Sequence, residues 1–194
     1  PAISIKKKDC IDLPSMVHVY REVELDKGQK AFYVKLKEES LVKDELMQVT
    51  AVNAAVLAGK LIQVATGCIY DDDGRALEFD VSGRINETID FIQKARNEAS
   101  TADKGKTIVF APFKHTAALI RKKLSESKII VDGKERKIKA EIIDGDVSAK
   151  RRDDIFGRFK EDNSLDVIVA IPQTMSHGLT LTNASCIVWF GPCT

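Results

Sequence analysis

Two apolar runs joined by a polar loop constrain the fold of this chain most. Residues 167–171 and 186–190 are apolar and rich in β-branched side chains, which predicts two buried strands. Pro172 ends the first strand because proline has no N–H for a neighbouring strand. Residues 173–183 between the strands are mostly small and polar, with Gly178 in the middle. This arrangement predicts a parallel sheet with the loop at its edge, where α/β proteins bind ligands.

The loop carries side chains that suit phosphate oxygens. Its donors are Gln173, Thr174, Ser176, His177, Thr180 and Thr182. Gly178 permits close approach of the backbone, whose N–H groups can also donate to phosphate. The open alternative is an ordinary polar loop, in which His177 only bonds its neighbours instead of acting as a ligand or switch.

From Lys106 onward the chain alternates between strand and helix patterns. Strands are predicted over 107–111 and 140–143, with helices over 115–125 and 148–160. Right-handed crossovers then give a RecA-like or Rossmann-like half. We expect a hairpin over 128–139 that turns at Asp132-Gly133. The aromatic pair Trp189-Phe190 is predicted to lie in the core.

The first part of the chain is predicted to be mainly helical. Residues 17–25 alternate apolar and polar, which is typical of a strand with one solvated face. Asp26 and Gln29 have the spacing of a capping box. They introduce a helical region over 27–66, which Gly59 is expected to interrupt.

A small hairpin and one more helix precede the sheet. The hairpin covers residues 69–79, and Ser82 is expected to cap the helix that follows. The polar stretch 100–105 predicts a boundary between a lobe-linking segment, 1–103, and an α/β domain, 104–194.

Charge and cysteine content exclude several classes of protein. The 30 basic and 29 acidic residues nearly cancel, so any nucleic-acid contact must come from a local patch. The four cysteines form no C-x-x-C pair, which favours a reducing, intracellular compartment. With no run of 18 apolar residues and no signal-peptide pattern, we expect no membrane partner. Because residue 1 is not Met and the sequence stops directly after a strand, we also expect a piece of a longer protein.

Five groups of residues, in this order, resemble motifs of superfamily-two helicases, most closely of the Swi/Snf-like branch that includes phage helicases. They are Leu13-Pro14 with Gln29 and Tyr33; Leu61-Ile62-Gln63 with Ser82-Gly83-Arg84; Ile108 to Phe113 (motif IV); Ile143-Asp144-Gly145-Asp146 with Arg152, Ile155 and Phe159; and Ser176 to Thr182 with Ala184 and Gly191-Pro192 (motif V).

The resemblance implies the second RecA-like lobe of an ATP-dependent DNA helicase or translocase, in a bacterial or phage-infected cell. The fold would be a parallel sheet of the P-loop NTPase type with flanking helices, preceded by a mainly helical segment. Nucleotide contacts would come from Gly178, Ser176 and Leu179. DNA contacts would come from Lys114, His115, Arg152, Gln173 and Thr174. The partners implied are duplex DNA and an N-terminal RecA-like lobe. ATP and Mg²⁺ would be bound mainly by that first lobe.

Two departures from the family pattern limit what these residues can do alone. The sequence contains no G-x-x-x-x-G-K-[ST], and it stops before the position of the motif VI arginines. Phosphoryl transfer needs the phosphate-binding loop, Mg²⁺ and such an arginine together. We therefore expect no catalytic residue here and no ATP hydrolysis by this piece alone. Motif V also departs from the family pattern at Met175, Ser176, His177 and Thr180.

Other interpretations remain open at this stage. One is a non-enzymatic nucleic-acid-binding or assembly module with a RecA-like fold. A Rossmann-like small-molecule domain is disfavoured because no G-x-G-x-x-G follows the first strand. Arg152 could be a phosphate ligand or a structural helix residue. Charged surfaces that could bind DNA or be only solvated are a helix face (Lys150, Arg151, Arg152, Arg158) and a hairpin (Lys134, Arg136, Lys137, Lys139).

Overall fold

The computed structural model describes residues 17–46, 51–70, 74–101, 104–161, 164–175 and 180–192. The helices are α1 (Lys27–Leu46), α2 (Ala51–Ala65), α3 (Ser82–Asn97), α4 (Lys114–Glu126) and α5 (Ala149–Glu161). The strands are β1 (Cys68–Tyr70), β2 (Ala76–Glu78), β3 (Lys106–Phe110), β4 (Lys128–Val131), β5 (Lys134–Lys137), β6 (Ala140–Ile143), β7 (Val167–Ala170) and β8 (Ala184–Trp189).

The central sheet is parallel, with the strand order β6-β7-β3-β8. Both faces of the sheet are covered at β7, which explains why this strand is a continuous apolar run. On one face Val109, Val167 and Val169 pack with α3 and α4. On the other face, Ile108 and Ile168 belong to the cluster that contains the buried side of α5. The predicted α/β fold is therefore confirmed.

Strand β8 differs from the prediction. Its side chains alternate between partly buried and exposed, and the side chain of Trp189 is 59% exposed. Trp189 packs on Phe110 with ring centroids 4.7 Å apart, whereas Phe190 is buried. The assignment of Trp189 to the core was wrong, because the face of β8 that carries Ile187 and Trp189 is exposed in the described part of the chain.

The segment 17–26 has no regular secondary structure and pairs with no strand in the described structure, so the predicted strand over 17–25 was wrong. It packs against α3 instead. A Cβ on Gly83 would lie 2.9 Å from Val23, and Arg21 contacts Glu87 at 3.7 Å. The apolar and polar alternation was real, but the surface that half-buries Val23 is a helix and not a sheet.

The capping box at α1 is confirmed and also joins two helices. The Gly28 N–H donates to the Asp26 carboxylate at 2.8 Å, and the Asp26 N–H donates to Gln29 Oε1 at 3.3 Å. Gln29 is buried, and its amide donates to the Val64 carbonyl at the end of α2 at 2.6 Å. Gly59 lies inside α2 and does not interrupt it, contrary to expectation.

Turns and caps agree with the sequence in most places. The hairpin of β4 and β5 turns at Asp132-Gly133, where both residues have positive φ, as a two-residue turn of this type requires. Ser148 Oγ accepts from the Arg151 N–H at 3.3 Å, which confirms the start of α5. Ser82 is not a cap: it is the first residue of α3, and its N–H donates to Asp80 Oδ1 at 2.8 Å. The acidic turn Asp71–Asp73 lies outside the described residues.

A buried carboxylate joins several elements at the amino edge of the sheet. Asp166, just before β7, accepts hydrogen bonds from Arg96 of α3, from Arg136 of β5 and from the Lys139 N–H. Burial acts to raise the pKa of Asp166, but the hydrogen bonds from Arg136 and Lys139 and the charge of Arg96 lower it overall. The charged hairpin is thus partly structural, since Arg136 anchors it to the sheet.

The predicted boundary between residues 103 and 104 stays a prediction. Helix α3 precedes it and packs on β3 and β8 of the sheet. No helix among the described residues is long and apolar enough to cross a membrane.

Candidate functional site

The carboxyl edge of the sheet collects most of the predicted site residues. Lys114 and His115 follow β3 and form the first turn of α4. Asp144 and Asp146 follow β6, and Gln173 and Thr174 lie in a 3₁₀ turn (Pro172–Met175) that follows β7. These strands are parallel neighbours in the order β6-β7-β3, so their following loops lie side by side.

Lys114 reaches across this edge to the β6 loop. Its Nζ lies 2.6 Å from Asp146 Oδ1, and both side chains are largely exposed. The hydrogen bond to Asp146, with the negative charges of Asp146 and Asp144, raises the pKa of Lys114. The Asp146 N–H in turn donates to Asp144 Oδ1 at 2.9 Å, which orders the loop. Lys114 therefore presents a permanent positive charge that solvent and ligands can reach.

The first turn of α4 adds further donors. The backbone N–H groups of a helix start have no partner within the helix, and the helix dipole places partial positive charge there. His115 stands beside Lys114, with its Nδ1 2.6 Å from the Tyr70 hydroxyl. Tyr70 belongs to β1, so the lobe-linking segment also contributes to this edge.

Thr174 has a structural contact that the sequence did not reveal. Its hydroxyl lies 2.7 Å from the Ile171 carbonyl and 3.1 Å from the Ile143 carbonyl, at the ends of β7 and β6. This contact ties the loop after β7 to the neighbouring strand. Gln173 is exposed beside it. DNA contacts by both residues stay predictions.

Arg152 lies in the first turn of α5, and its Nε is buried with no hydrogen-bond partner among the described residues. The helix face around it is partly neutralised. Arg151 and Arg158 both bind Glu141 at 2.8 Å. Burial acts to raise the pKa of Glu141, but the hydrogen bond from Arg158 and the charge of Arg151 lower it overall. Arg152 forms no described hydrogen bond or ion pair with Lys114 or His115, and its role stays a prediction.

The predicted nucleotide-binding residues Ser176, Gly178 and Leu179 lie outside the described residues, as does His177. The flanks of their loop are described: Met175 and Leu181 both pack against the core cluster that contains the buried side of α5. The loop therefore leaves and re-enters the domain beside that cluster. Among the described residues no group of three or more His, Cys, Asp or Glu side chains could hold a metal ion.

Sequence reasoning missed Tyr70 and Asp146 as residues of this edge. Asp146 had a signal, because it follows a predicted strand in the same way as Lys114. Tyr70 had none, since it meets His115 across 45 positions of sequence.

Comparison with known proteins places these residues in a family. Residues 85–194 match the family described as "Helicase conserved C-terminal domain". A putative protein p41 of Acyrthosiphon pisum secondary endosymbiont phage 1 is 32% identical over 73 residues, which are 38% of this chain and 16% of that protein.

Solved structures support the same fold. The C-terminal domain of a Sulfolobus solfataricus SWI2/SNF2 ATPase is 22% identical with a TM-score of 0.65, over 86% of this chain and 68% of that one. The core of a Sulfolobus solfataricus SWI2/SNF2 ATPase in complex with dsDNA has a TM-score of 0.66 at 22% identity, over 86% of this chain and 33% of that one. The chain thus spans only a part of this core and of the phage protein. The prediction of a RecA-like helicase lobe with the Swi/Snf-like fold is confirmed.

Proposed function

The chain belongs to the helicase conserved C-terminal domain family, and on this premise we propose that it is the second lobe of a Swi/Snf-like DNA translocase or helicase driven by ATP. One observation supports this proposal above the others. Lys114, His115 and the free N–H groups of α4 lie together at the carboxyl edge of the sheet, where they can hold an anion. The structurally similar Sulfolobus solfataricus SWI2/SNF2 ATPase core was solved in complex with dsDNA, which makes the DNA backbone our candidate for that anion.

In this proposal Lys114 and His115 bind a phosphate of one DNA strand. Such contacts carry no sequence information, which suits a protein that moves along duplex DNA. Asp146 competes for Lys114 in the free protein. Because both side chains are exposed, the pair is weak and a phosphate can replace the carboxylate. Gln173 and Thr174 lie on the neighbouring loop and would extend the contact along the strand.

We assign nucleotide binding to the loop around Gly178, which includes Ser176 and Leu179. ATP and Mg²⁺ would be held mainly by a first RecA-like lobe, because these 194 residues include no G-x-x-x-x-G-K-[ST]. No described residue is assigned as a metal ligand. Closure of the two lobes around ATP would couple hydrolysis to the grip on DNA, and these residues alone would not hydrolyse ATP.

Duplex binding by the chain at several salt concentrations tests the DNA contact. A lysine that binds phosphate displaces about one counterion, so Lys114→Gln should weaken binding to all sequences and lower the salt slope by about 1. Lys160→Gln is the matched control. It removes the same charge from an exposed position near the end of α5. This position lies at the amino edge of the sheet, because the Lys160 carbonyl accepts a hydrogen bond from the Asn183 amide just before β8. Equal losses in both variants would remove the case for this edge.

A longer protein that carries both lobes tests the enzymatic part. We expect ATP hydrolysis that duplex DNA stimulates, and none from these 194 residues alone. Salt-sensitive DNA binding without turnover in the longer protein would instead support the non-enzymatic module.

A further inference from the structure

A tyrosine from the lobe-linking segment contacts the histidine at the proposed DNA contact. The Tyr70 hydroxyl lies 2.6 Å from His115 Nδ1. The two rings meet edge to face, with centroids 4.8 Å apart and planes at 84°. Within the described residues no group bonds to the other ring nitrogen, Nε2, and the His115 side chain is only partly buried.

The chemistry of the two groups indicates which atom donates. The phenol oxygen shares its lone pair with the ring and is a poor acceptor, whereas the imidazole lone pair is a strong acceptor for an O–H donor. The 2.6 Å contact therefore fits donation by the Tyr70 hydroxyl to Nδ1. A neutral imidazole carries one N–H and one lone pair, so a lone pair on Nδ1 puts the hydrogen on Nε2. The contact therefore selects one tautomer of His115.

Tyr70 is held in place by its own surroundings. It pairs with Ala76 in the antiparallel hairpin of β1 and β2, and the preceding Cys68 and Ile69 are buried. Beside it, the Thr66 and Thr116 hydroxyls meet at 3.4 Å in the buried junction between the end of α2 and α4. The chain that leads into the hairpin is thus held against the first turn of α4 beside the Tyr70 contact.

We propose that Tyr70 is a positioning residue that holds His115 as an Nε2–H donor for a phosphate oxygen. The opposite tautomer would present a lone pair, which repels a phosphate. With Nε2–H available, His115 can donate to a phosphate at the first turn of α4, the turn that also carries Lys114. The identity of the phosphate as that of DNA rests on the proposed function, whereas the tautomer does not.

Nitrogen NMR of the histidine side chains tests the tautomer without DNA. The chain contains three histidines, and the signals of His115 are those lost in His115→Gln. At a pH where the ring is neutral, we expect an unprotonated Nδ1 and a protonated Nε2. Tyr70→Phe keeps the ring and removes the hydroxyl, so it should return His115 to a mixture of tautomers. Tyr20→Phe, at a position 90% exposed, should change nothing. A protonated Nδ1, or an unchanged spectrum in Tyr70→Phe, would overturn the proposal.

Duplex binding then tests the phosphate role. Loss of one hydrogen bond should weaken binding by Tyr70→Phe about threefold to tenfold. The same change in a His115→Gln background should have no further effect. Equal weakening in both backgrounds would overturn the positioning role. If the chain binds no duplex at all, the DNA assignment fails, and the NMR result still decides whether Tyr70 sets the tautomer.

Discussion

Asp166→Asn should destabilise the domain strongly although it lies far from the candidate site. The wild-type carboxylate is fully buried, and it accepts from Arg96, whose side chain is only 5% exposed, and from Arg136. The amide of asparagine keeps one acceptor oxygen but leaves the buried guanidinium of Arg96 without its counter-ion. Breaking a buried ion pair in this way costs about 3–5 kcal/mol. Since Arg136 is 28% exposed and keeps part of its hydration, we expect about 3 kcal/mol.

Urea unfolding followed by circular dichroism measures this cost. With a slope of roughly 2–3 kcal/mol per molar urea, a loss of about 3 kcal/mol lowers the midpoint by about 1–1.5 M. Asp90→Asn on α3 is the control, because Asp90 forms an exposed pair with Lys94 one turn away. Such a pair contributes about 0.3–0.5 kcal/mol, so the control midpoint should move by about 0.2 M or less.

The pH dependence gives a second check on the same residue. The folded state holds the pKa of Asp166 below its ordinary value of 3.8. A lowered folded pKa stabilises the fold above the unfolded pKa, and this stability is lost as pH falls through the folded pKa. The difference in the free energy of unfolding between wild type and Asp166→Asn should therefore be constant from neutral pH to about 5. It should become smaller below a pH of about 4. A difference under about 1 kcal/mol at pH 7, or one that persists unchanged in acid, would refute this role.

Three further outcomes follow from the structure. Asp146→Asn should strengthen duplex binding, because it frees Lys114 and removes a negative charge beside the phosphate; weaker binding would contradict this arrangement, and a filter-binding titration at fixed salt measures it. Trp189 is the single tryptophan and is 59% exposed, so its fluorescence should be strongly quenched by iodide; a shielded tryptophan would show that β8 is covered in solution. In a longer protein that carries both lobes, Gly178→Asp should abolish DNA-stimulated ATP hydrolysis, because the substitution adds bulk and negative charge where the backbone must approach phosphate. The circular dichroism spectrum should stay unchanged. Wild-type turnover in this variant would remove the nucleotide role of the loop.

The sheet could be predicted because its strands follow simple rules. Strand β7 is buried on both faces and therefore reads as a continuous apolar run, and the turn at Asp132-Gly133 needs residues that accept positive φ. Such local signals depend only on neighbouring residues. They fix elements and turns, and they place Lys114 and His115 after a strand.

Contacts between distant residues could not be predicted in the same way. An apolar run does not tell whether a neighbouring element covers both faces, which is why Trp189 was assigned to the core. The alternation over 17–25 revealed a half-buried segment but not that its partner is α3. Asp166 looked like an ordinary residue before a strand, and its burial depends on two arginines that are 70 and 30 positions away.

The salt dependence of duplex binding, compared between Lys114→Gln and the wild type, tests the central claim most directly. If the carboxyl edge binds DNA phosphate, the slope of log affinity against log salt should fall by about 1 in Lys114→Gln and stay at the wild-type value in Lys160→Gln. An unchanged slope in Lys114→Gln, with wild-type affinity, would show that DNA does not bind at this edge of the sheet.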